Sequence, residues 1–177
     1  DRFLVNCGGI ANFTYLPSSG TAQGAFATDT GPGNTLIDAF TQIHYPGNDY
    51  DKDAQFALSG SVNSALLSAL KDNPFFEAPF PKTTGPELFN VDYVRSAQAQ
   101  SDATTIEPAD LIATLVHFTA ETMSEAIRSH CINKSLSRPP IYLSGGGMHN
   151  PLLVTLLEQN IDSPFSTIDS LGVPGDA

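Results

Sequence analysis

The stretch Ala25-Phe26-Ala27-Thr28-Asp29-Thr30-Gly31-Pro32-Gly33-Asn34 leads from a short strand through a carboxylate and a glycine-rich turn into a helical run. Glycine in such a turn lets a ligand approach the main chain closely. A helix that begins beyond the turn attracts anions, because its first N–H groups are unpaired and carry the positive end of the helix dipole. The stretch therefore predicts a site for a phosphorylated ligand, with Asp29 beside it at the end of the third strand.

Two further glycine turns have the same character. Asn6-Cys7-Gly8-Gly9-Ile10-Ala11-Asn12 joins two strands, and Gly145-Gly146-Gly147-Met148-His149-Asn150 follows a strand and precedes a helix. The Gly145-Gly146-Gly147 turn is not a P-loop, because no Gly-Lys-Ser/Thr follows, and it is not a dinucleotide-binding fingerprint, because the spacing differs. A plain β-turn remains an alternative for Gly8-Gly9, whereas three consecutive glycines favour close approach of a ligand.

The remaining patterns predict one α/β domain with a mixed sheet flanked by helices. Three short strands with tight connections indicate an antiparallel meander, and the later strands are separated by helices and are therefore expected to be parallel. The predicted strands cover residues 3–5, 12–16, 25–28, 141–143 and 165–168. Apolar positions at helical spacing predict helices over residues 35–40, 58–70, 86–98, 108–130 and 152–159.

Composition excludes several classes of function. The chain has 177 residues, a formal charge of −11 and 41% hydrophobic residues, which is typical of a folded domain and unlike a protein that binds nucleic acid. No apolar run reaches the roughly 18–20 residues that a membrane span needs. The two cysteines, Cys7 and Cys131, are too few for a disulfide framework and fit a reducing compartment, so a cytoplasmic protein is expected.

Several polar residues allow a functional and a structural interpretation. Asp29 could accept a proton at neutral pH, or its carboxylate could cap the N–H groups of the turn that follows. Asp38 is interpreted as a surface or structural residue. Lys82 could neutralise a phosphate or orient the substrate, or it could be a solvated loop lysine. The four histidines have no ligand-like spacing, so a zinc site is not expected. No Gly-x-Ser-x-Gly elbow is present, which removes the serine-hydrolase interpretation.

In combination these motifs resemble the anhydro-N-acetylmuramic acid kinase family, which includes the related fungal levoglucosan kinase. The resemblance is colinear over essentially all 177 residues. It rests on Asn6-x-Gly8-Gly9-Ile10-Ala11-Asn12, Asp29 to Asn34, Ile37-Asp38-Ala39, Tyr50-Asp51, Pro81-Lys82-Thr83-Thr84-Gly85, Gly145-Gly146-Gly147-x-x-Asn150-Pro151 and Gly172-Val173-Pro174. It implies the ribonuclease-H-like fold of the actin-like ATPase and sugar kinase superfamily. Residues 1–177 then correspond to the C-terminal domain, with the N-terminal domain absent.

The resemblance implies ATP-dependent opening of a 1,6-anhydro sugar, with phosphorylation of O6 and Asp29 as the general base. ATP and Mg²⁺ are the implied cofactors, with no metal ligand assigned, and the implied partners are a small anhydro sugar and a second copy in a homodimer. The residues implied to bind the nucleotide are Asn6, Gly8, Gly9, Asn12, Gly31, Gly33, Asn34, Gly145, Gly146, Gly147 and Asn150. The sugar stays open between anhydro-N-acetylmuramic acid and levoglucosan, and a non-catalytic nucleotide-binding homologue remains an alternative.

Two positions depart from the family's pattern. Pro86 stands where relatives usually have arginine, in Gly85-Pro86-Glu87, and Ala54 stands where relatives have glycine. These differences bear on substrate and activity rather than on the fold. Because half of the cleft is expected to lie in the missing domain, the isolated chain is expected to have no kinase activity.

Overall fold

A five-stranded mixed sheet is the centre of the computed structural model, which describes residues 1–175. The strands are β1 (Arg2–Cys7), β2 (Ile10–Leu16), β3 (Phe26–Pro32), β4 (Ile141–Ser144) and β5 (Phe165–Thr167), in the spatial order β3-β2-β1-β4-β5. β1, β2 and β3 pair antiparallel, whereas β4 is parallel to β1 and β5 is parallel to β4. This topology confirms the predicted meander with parallel strands after it, and it is that of a ribonuclease-H-like domain.

Seven α-helices accompany the sheet in residues 1–175. They are α1 (Asn34–His44), α2 (Gln55–Ser59), α3 (Ser64–Lys71), α4 (Pro74–Glu77), α5 (Val91–Gln100), α6 (Pro108–Lys134) and α7 (Pro151–Asn160). Short 3-10 segments cover Lys52–Ala54, Gly146–His149 and Ile168–Leu171. The 27-residue α6 contacts β2 and β3 and packs against α1, α2, α3 and α7. None of the helices in the described part of the chain is long and apolar enough to cross a membrane.

The two faces of the sheet differ in burial. Phe3, Val5 and Cys7 of β1 are buried, and the Phe3 and Phe13 rings meet edge to face with their centroids 5.2 Å apart. Alternate residues of a strand point to opposite faces, so Leu4 and Asn6 lie on the other face, where they are only half-buried. The apolar face packs on α6, and the half-buried face carries the polar residues discussed below.

The single helix predicted over residues 58–70 is wrong, because the chain forms two helices there. α2 ends at Ser59, and the side chain of Asn63 caps α3 by accepting a hydrogen bond from Leu66 N at 2.9 Å. A Cβ at Gly60 would lie 2.2 Å from Ala109 O, so the break lets the chain pass close to the first turn of α6. The apolar pattern that predicted one helix included Leu58, but this residue lies in α2 and is 60% exposed.

The other predicted helices exist with shifted ends. The helix predicted over 86–98 is α5, which begins at Val91 because the Asn90 side chain caps it through Tyr93 N. The four-residue α4 was not predicted from the sequence. α4 begins at Pro74 and is capped by the Asn73 side chain. From the sequence, only the end of the preceding helix was expected at this point. Local capping side chains thus set boundaries that apolar periodicity alone does not mark.

The end of α6 gives a test of backbone conformation. Ser135 follows the helix with φ 53° and ψ 40°, a left-handed conformation that glycine adopts without strain. We expect Ser135→Gly to raise the free energy of unfolding by about 1 kcal/mol, measured by urea denaturation. The matched control Ser129→Gly, on the exposed side within the same helix, should lower that free energy by about 0.5 kcal/mol. A loss of stability in both variants would contradict this account of the helix end.

Candidate active site

The three glycine turns meet at one edge of the sheet. β1, β3 and β4 run in the same direction, so their carboxyl ends share that edge and lead directly into Gly8, Gly33 and Gly145. Gly33 N donates to Gly9 O at 2.9 Å, and Asn34 N donates to Gly8 O at 2.8 Å. The structure therefore brings the turns singled out in the sequence into direct contact.

Two glycines are required by this close packing. A Cβ at Gly33 would lie 2.2 Å from Gly8 O, a distance that no side chain permits. Gly145 has φ 81°, and a Cβ there would lie 2.8 Å from Cys7 O. These glycines allow the backbones of three strand ends to approach one another, which is a structural role in addition to any contact with a ligand.

The pairing of N–H groups differs from the sequence-based expectation. The amides of Gly33, Asn34 and Thr35 at the start of α1 were expected to be unpaired, but all three donate to carbonyl oxygens of Gly8 or Gly9. Among the hydrogen bonds of residues 1–175, none uses the N–H groups of Gly8 and Gly9 as donors. The amides available to an anion are therefore those of the β1–β2 turn rather than those at the helix start.

A row of polar side chains crosses four strands next to the turns. Asn6 is opposite Asn12 on β2 and opposite Ser144 on β4, and Asn12 is opposite Asp29 on β3. Residues directly opposite one another project from the same face, so Asp29, Asn12, Asn6 and Ser144 lie side by side. Asn6 Nδ2 donates to Ser144 Oγ at 3.3 Å. The sequence analysis did not select Ser144, although its place immediately before Gly145 marks the same edge.

Asp29 lies within β3 and not at its end, which corrects the expectation that the third strand stops at Thr28. β3 continues to Pro32 because Gly31 and Pro32 still pair with Ala11 and Ile10 of β2, beyond an irregularity in the ladder between Ala11 and Asn12. The neighbouring Thr30 is buried on the opposite face, so the half-buried Asp29 side chain projects into the polar row. The inclusion of Asp29 in the sheet fixes its main chain on both sides.

The loop after α4 holds the Asp29 carboxylate in one orientation. Thr83 Oγ1 donates to Asp29 Oδ2 at 2.9 Å, and Thr84 N donates to the same oxygen at 2.8 Å. Asp29 N donates to Lys82 O at 2.9 Å, which ties the loop to the strand. Both contacts of the carboxylate are made by Oδ2, so Oδ1 is the oxygen that can accept a proton from a ligand.

Lys82 is not a solvated loop lysine, because its ammonium is bound within the protein. Its ammonium donates to Phe75 O at 2.7 Å and to Phe76 O at 3.0 Å, and it lies 4.4 Å from the centroid of the Phe75 ring. Burial lowers the pKa of Lys82. The side chain joins α4 to the loop that carries Thr83 and Thr84, so it supports the residues that orient Asp29.

A cavity of about 480 Å³ opens beside the glycine turns. A volume of this size accommodates a small ligand such as a nucleoside. Three of the predicted site residues, Asn34, Gly146 and Asn150, line it. Its other lining residues are Ile37, Asp38, Asp49, Tyr50, Asp51, Lys52, Asp53 and His149. Asn150 also caps α7 through Leu153 N at 2.9 Å, so part of its polarity is used within the protein.

Asp38 differs from the surface or structural residue expected from the sequence. It is half-buried on α1, faces this cavity, and has a pKa raised to about 6 by burial. Burial, with a smaller contribution from the charge of Asp38, raises the pKa of the Cys7 thiol to about 12. The signal in the sequence was its spacing of four residues from Asn34, which places both side chains on one face of a helix.

The two departures from the family pattern have different structural settings. Ala54 is fully buried with φ 55°, a left-handed conformation that glycine would adopt without strain. Its neighbour Asp51 accepts hydrogen bonds from Phe56 N and Ala57 N, both at 2.9 Å, and so stabilises the start of α2. Pro86 is exposed, and nothing in the structure explains the proline there.

A larger cavity of about 660 Å³ lies between α6 and residues 76–82. Thr30 and Thr122 line it, so it lies on the face of β3 opposite to Asp29. His130 also borders this cavity, and burial lowers its pKa. Among the described residues, no group of three or more His, Cys, Asp or Glu side chains is arranged to hold a metal ion.

A ribonuclease-H-like sheet with glycine turns at its carboxyl edge and a cavity beside them is the arrangement of a domain with the sugar kinase fold. The family model described as anhydro-N-acetylmuramic acid kinase matches residues 1–177, and the chain belongs to that family. This confirms the resemblance that the glycine motifs indicated.

Two bacterial proteins of this family are similar to the chain over most or all of its length. The chain is 47% identical over 154 residues to an anhydro-N-acetylmuramic acid kinase of Pseudoalteromonas atlantica, covering 87% of this chain and 38% of that protein. It is 42% identical over 179 residues to the enzyme of Pseudoalteromonas translucida, covering 100% of this chain and 44% of that protein. The chain therefore spans about two fifths of the length of these curated relatives.

A solved structure was also found. The activator of the 2-hydroxyisocaproyl-CoA dehydratase from Clostridium difficile, with bound ADPNP, superposes with a TM-score of 0.48 and 13% sequence identity. The match covers 94% of this chain and 53% of that chain.

The contact between the turns gives a direct test of the site's architecture. Gly33→Ala would place a methyl group against Gly8 O, so we expect a loss of about 3 kcal/mol in the free energy of unfolding, at the upper end of overpacking costs. The measurement is chemical denaturation. Gly146→Ala is the matched control, because its Cβ would meet only Asn34 Nδ2 at 3.4 Å and should change stability by less than about 1 kcal/mol. Equal effects of the two substitutions would contradict the proposed packing.

Proposed function

We propose that this chain forms one wall of the active site of an ATP-dependent anhydro-sugar kinase. The observation that carries the proposal is the Asp29 carboxylate, which Thr83 and Thr84 orient at the sheet edge where the glycine turns meet. Family membership supports a kinase, and the orientation of Asp29 supports its role as the base. The proposed substrate is the 1,6-anhydro sugar anhydro-N-acetylmuramic acid, and the proposed product is its 6-phosphate.

In the proposed reaction Asp29 accepts a proton from water. The remaining hydroxide attacks the anomeric carbon, the bond between C1 and O6 breaks, and O6 attacks the γ-phosphorus of ATP. The bond from that phosphorus to the bridging oxygen then breaks, and ADP leaves. Because Oδ2 is occupied by Thr83 and Thr84, Oδ1 takes the proton. A carboxylate with one oxygen free of partners can act as a general base in this way.

The proposed nucleotide position follows from the pairing of the turns. Because the N–H groups of Gly8 and Gly9 donate no hydrogen bond within residues 1–175, we place the phosphates at the β1–β2 turn. Asn6 and Asn12 lie beside this turn in the polar row. The turn from Gly145 to Asn150 then lies on the adenosine side, with Gly146 and Asn150 lining the 480 Å³ cavity. Positioning of the reacting groups and neutralisation of phosphate charge supply most of the catalysis in phosphoryl transfer.

Mg²⁺ is the metal proposed to accompany ATP. It is commonly held by one or two carboxylates together with phosphate oxygens and waters, so a group of three protein ligands is not required. The carbonyl oxygens of the turns are oxygen donors at the phosphate end, which fits this chemistry. When bound, the ion would neutralise charge on the transferred phosphoryl group.

The rest of the proposed enzyme completes the cleft. We propose that residues 1–177 are the C-terminal domain, and that a further domain supplies the opposite wall and much of the sugar pocket. This accords with the span of about two fifths of the relatives' length. A cytoplasmic location and a homodimer belong to the same proposal. The isolated chain should then bind nucleotide without turning over sugar.

Replacement of the proposed base separates binding from chemistry. Asp29→Asn in the complete protein should lower kcat by about 10³-fold, within the range for loss of general base catalysis. Its Kd for ATP should change by less than threefold, because the glycine turns are unaltered. The control Asp92→Asn removes an exposed carboxylate of α5 and should leave kcat unchanged. Near-normal turnover by Asp29→Asn would contradict the assignment of the base.

The identity of the sugar is tested by comparing substrates. Anhydro-N-acetylmuramic acid and levoglucosan share the 1,6-anhydro bridge, so both suit the proposed chemistry. We expect kcat/KM of the complete protein to be higher for anhydro-N-acetylmuramic acid, in line with the family and the curated relatives that the chain matches. A preference for levoglucosan would retain the mechanism and change the substrate. Binding of ATP without turnover of either sugar would contradict the kinase proposal.

A further inference from the structure

One carboxylate of the 480 Å³ cavity has no role in the proposed chemistry. Asp38 lies one helical turn after Asn34 on α1, and both side chains line the cavity. Four residues of an α-helix advance about 6 Å along its axis. Asp38 is therefore placed about 6 Å deeper than the turn at which the phosphates are proposed to bind.

Asp38 makes no hydrogen bond or ion pair within residues 1–175, although it is half-buried. Asp51 in the same cavity is different, because Phe56 N and Ala57 N occupy both of its oxygens. Partial burial of an unpaired carboxylate costs free energy, and such groups cluster at functional sites. The cost is offset if a ligand supplies hydrogen-bond donors to Asp38.

The charges around the cavity indicate which part of a nucleotide could enter it. Asp38, Asp49 and Asp53 contribute carboxylates, and Lys52 is the cation among the described lining residues. This balance disfavours a phosphate and favours a neutral group that donates hydrogen bonds. The group that follows the phosphates in a nucleotide is the ribose, and its two hydroxyls are such donors.

We propose that Asp38 is a specificity-determining residue that accepts hydrogen bonds from the 2′- and 3′-hydroxyls of the nucleotide ribose. The inference rests on the proposed function and extends it by assigning the ribose to a particular carboxylate. The two oxygens of a carboxylate can each accept one hydroxyl of a vicinal diol, and charge-assisted hydrogen bonds of this kind are the stronger ones. Asp38 then selects ribonucleotides over deoxynucleotides.

The contact should also depend on pH. The pKa of Asp38 is raised to about 6 by burial, and a bound diol stabilises the ionised form. Selectivity for ribose should therefore be complete above pH 7 and decline as the pH falls through 6. The titratable and charged groups that face Asp38 come from β1, from the segment 49–53 and from the 3-10 segment after β4. They are Cys7, Asp49, Asp51, Lys52, Asp53 and His149.

The experiment measures Kd of the complete protein for ATP and 3′-deoxy-ATP, with wild type, Asp38→Ala and Asp49→Ala. Wild type should bind ATP about 10-fold more tightly than 3′-deoxy-ATP, the ratio expected for one charge-assisted hydrogen bond. Asp38→Ala should bring the ratio close to 1. Asp49→Ala, an exposed carboxylate of the same cavity, should keep the wild-type ratio. An unchanged ratio in Asp38→Ala would overturn the proposal.

Two further readouts keep the test decisive. Asp38→Ala should retain the Tm of the wild type or exceed it, because an unpaired half-buried carboxylate is removed. The ratio of the two Kd values should fall between pH 7 and pH 5 in wild type and stay constant in Asp38→Ala. The ratio cancels the titration of the phosphates themselves, which occurs near the same pH. A wild type that binds neither nucleotide would contradict the proposed function, whereas equal binding of both nucleotides would contradict only the role of Asp38.

Discussion

The hydrogen bonds from Gly33 N to Gly9 O and from Asn34 N to Gly8 O are the contacts on which the rest of the site depends. They attach the start of α1 to the β1–β2 turn, and they form only because no Cβ intervenes at Gly33. One consequence is that the N–H groups at the start of α1 are already hydrogen-bonded and are not free to bind an anion. The other is that the amides of Gly8 and Gly9 remain available, so the proposed anion site lies at the β1–β2 turn and not at the start of α1.

Strand register determines which polar side chains lie next to one another at the site. The pairing of Asn6 with Asn12, and of Asn12 with Asp29, places residues from three strands in one row on the less covered face of the sheet. A shift of one residue in either pairing would turn part of that row toward α6. The loop after α4 adds the last constraint, because Thr83 and Thr84 determine which oxygen of the Asp29 carboxylate is available.

The sequence was a good guide to features that local patterns determine. The order of the strands along the chain, the mixed sheet and the three glycine turns were predicted, since strand patterns and glycine runs are visible in short windows. The family resemblance assigned the same turns to a kinase. The helix over 58–70 failed because apolar spacing carries no information on the close approach of Gly60 to Ala109.

The features that were missed depend on contacts between distant residues. Asp29 was placed at a strand end because its pairing partners on β2 are not visible beside it in the sequence. The loss of free amides at α1 required knowledge of the Gly8 and Gly9 carbonyls, and the role of Lys82 required the position of α4. Asp38 was taken for a surface or structural residue because burial and the absence of a partner are properties of the folded chain.

In the proposed complex the β1–β2 turn binds the phosphates while Asp29 Oδ1 faces the reacting sugar. A crystal structure of the complete protein with a non-hydrolysable ATP analogue and the anhydro sugar tests this arrangement most directly. We expect phosphate oxygens within hydrogen-bond distance of Gly8 N and Gly9 N, and a water between Asp29 Oδ1 and the anomeric carbon. Phosphates bound away from this turn, or a sugar whose anomeric carbon is out of reach of Asp29, would contradict it.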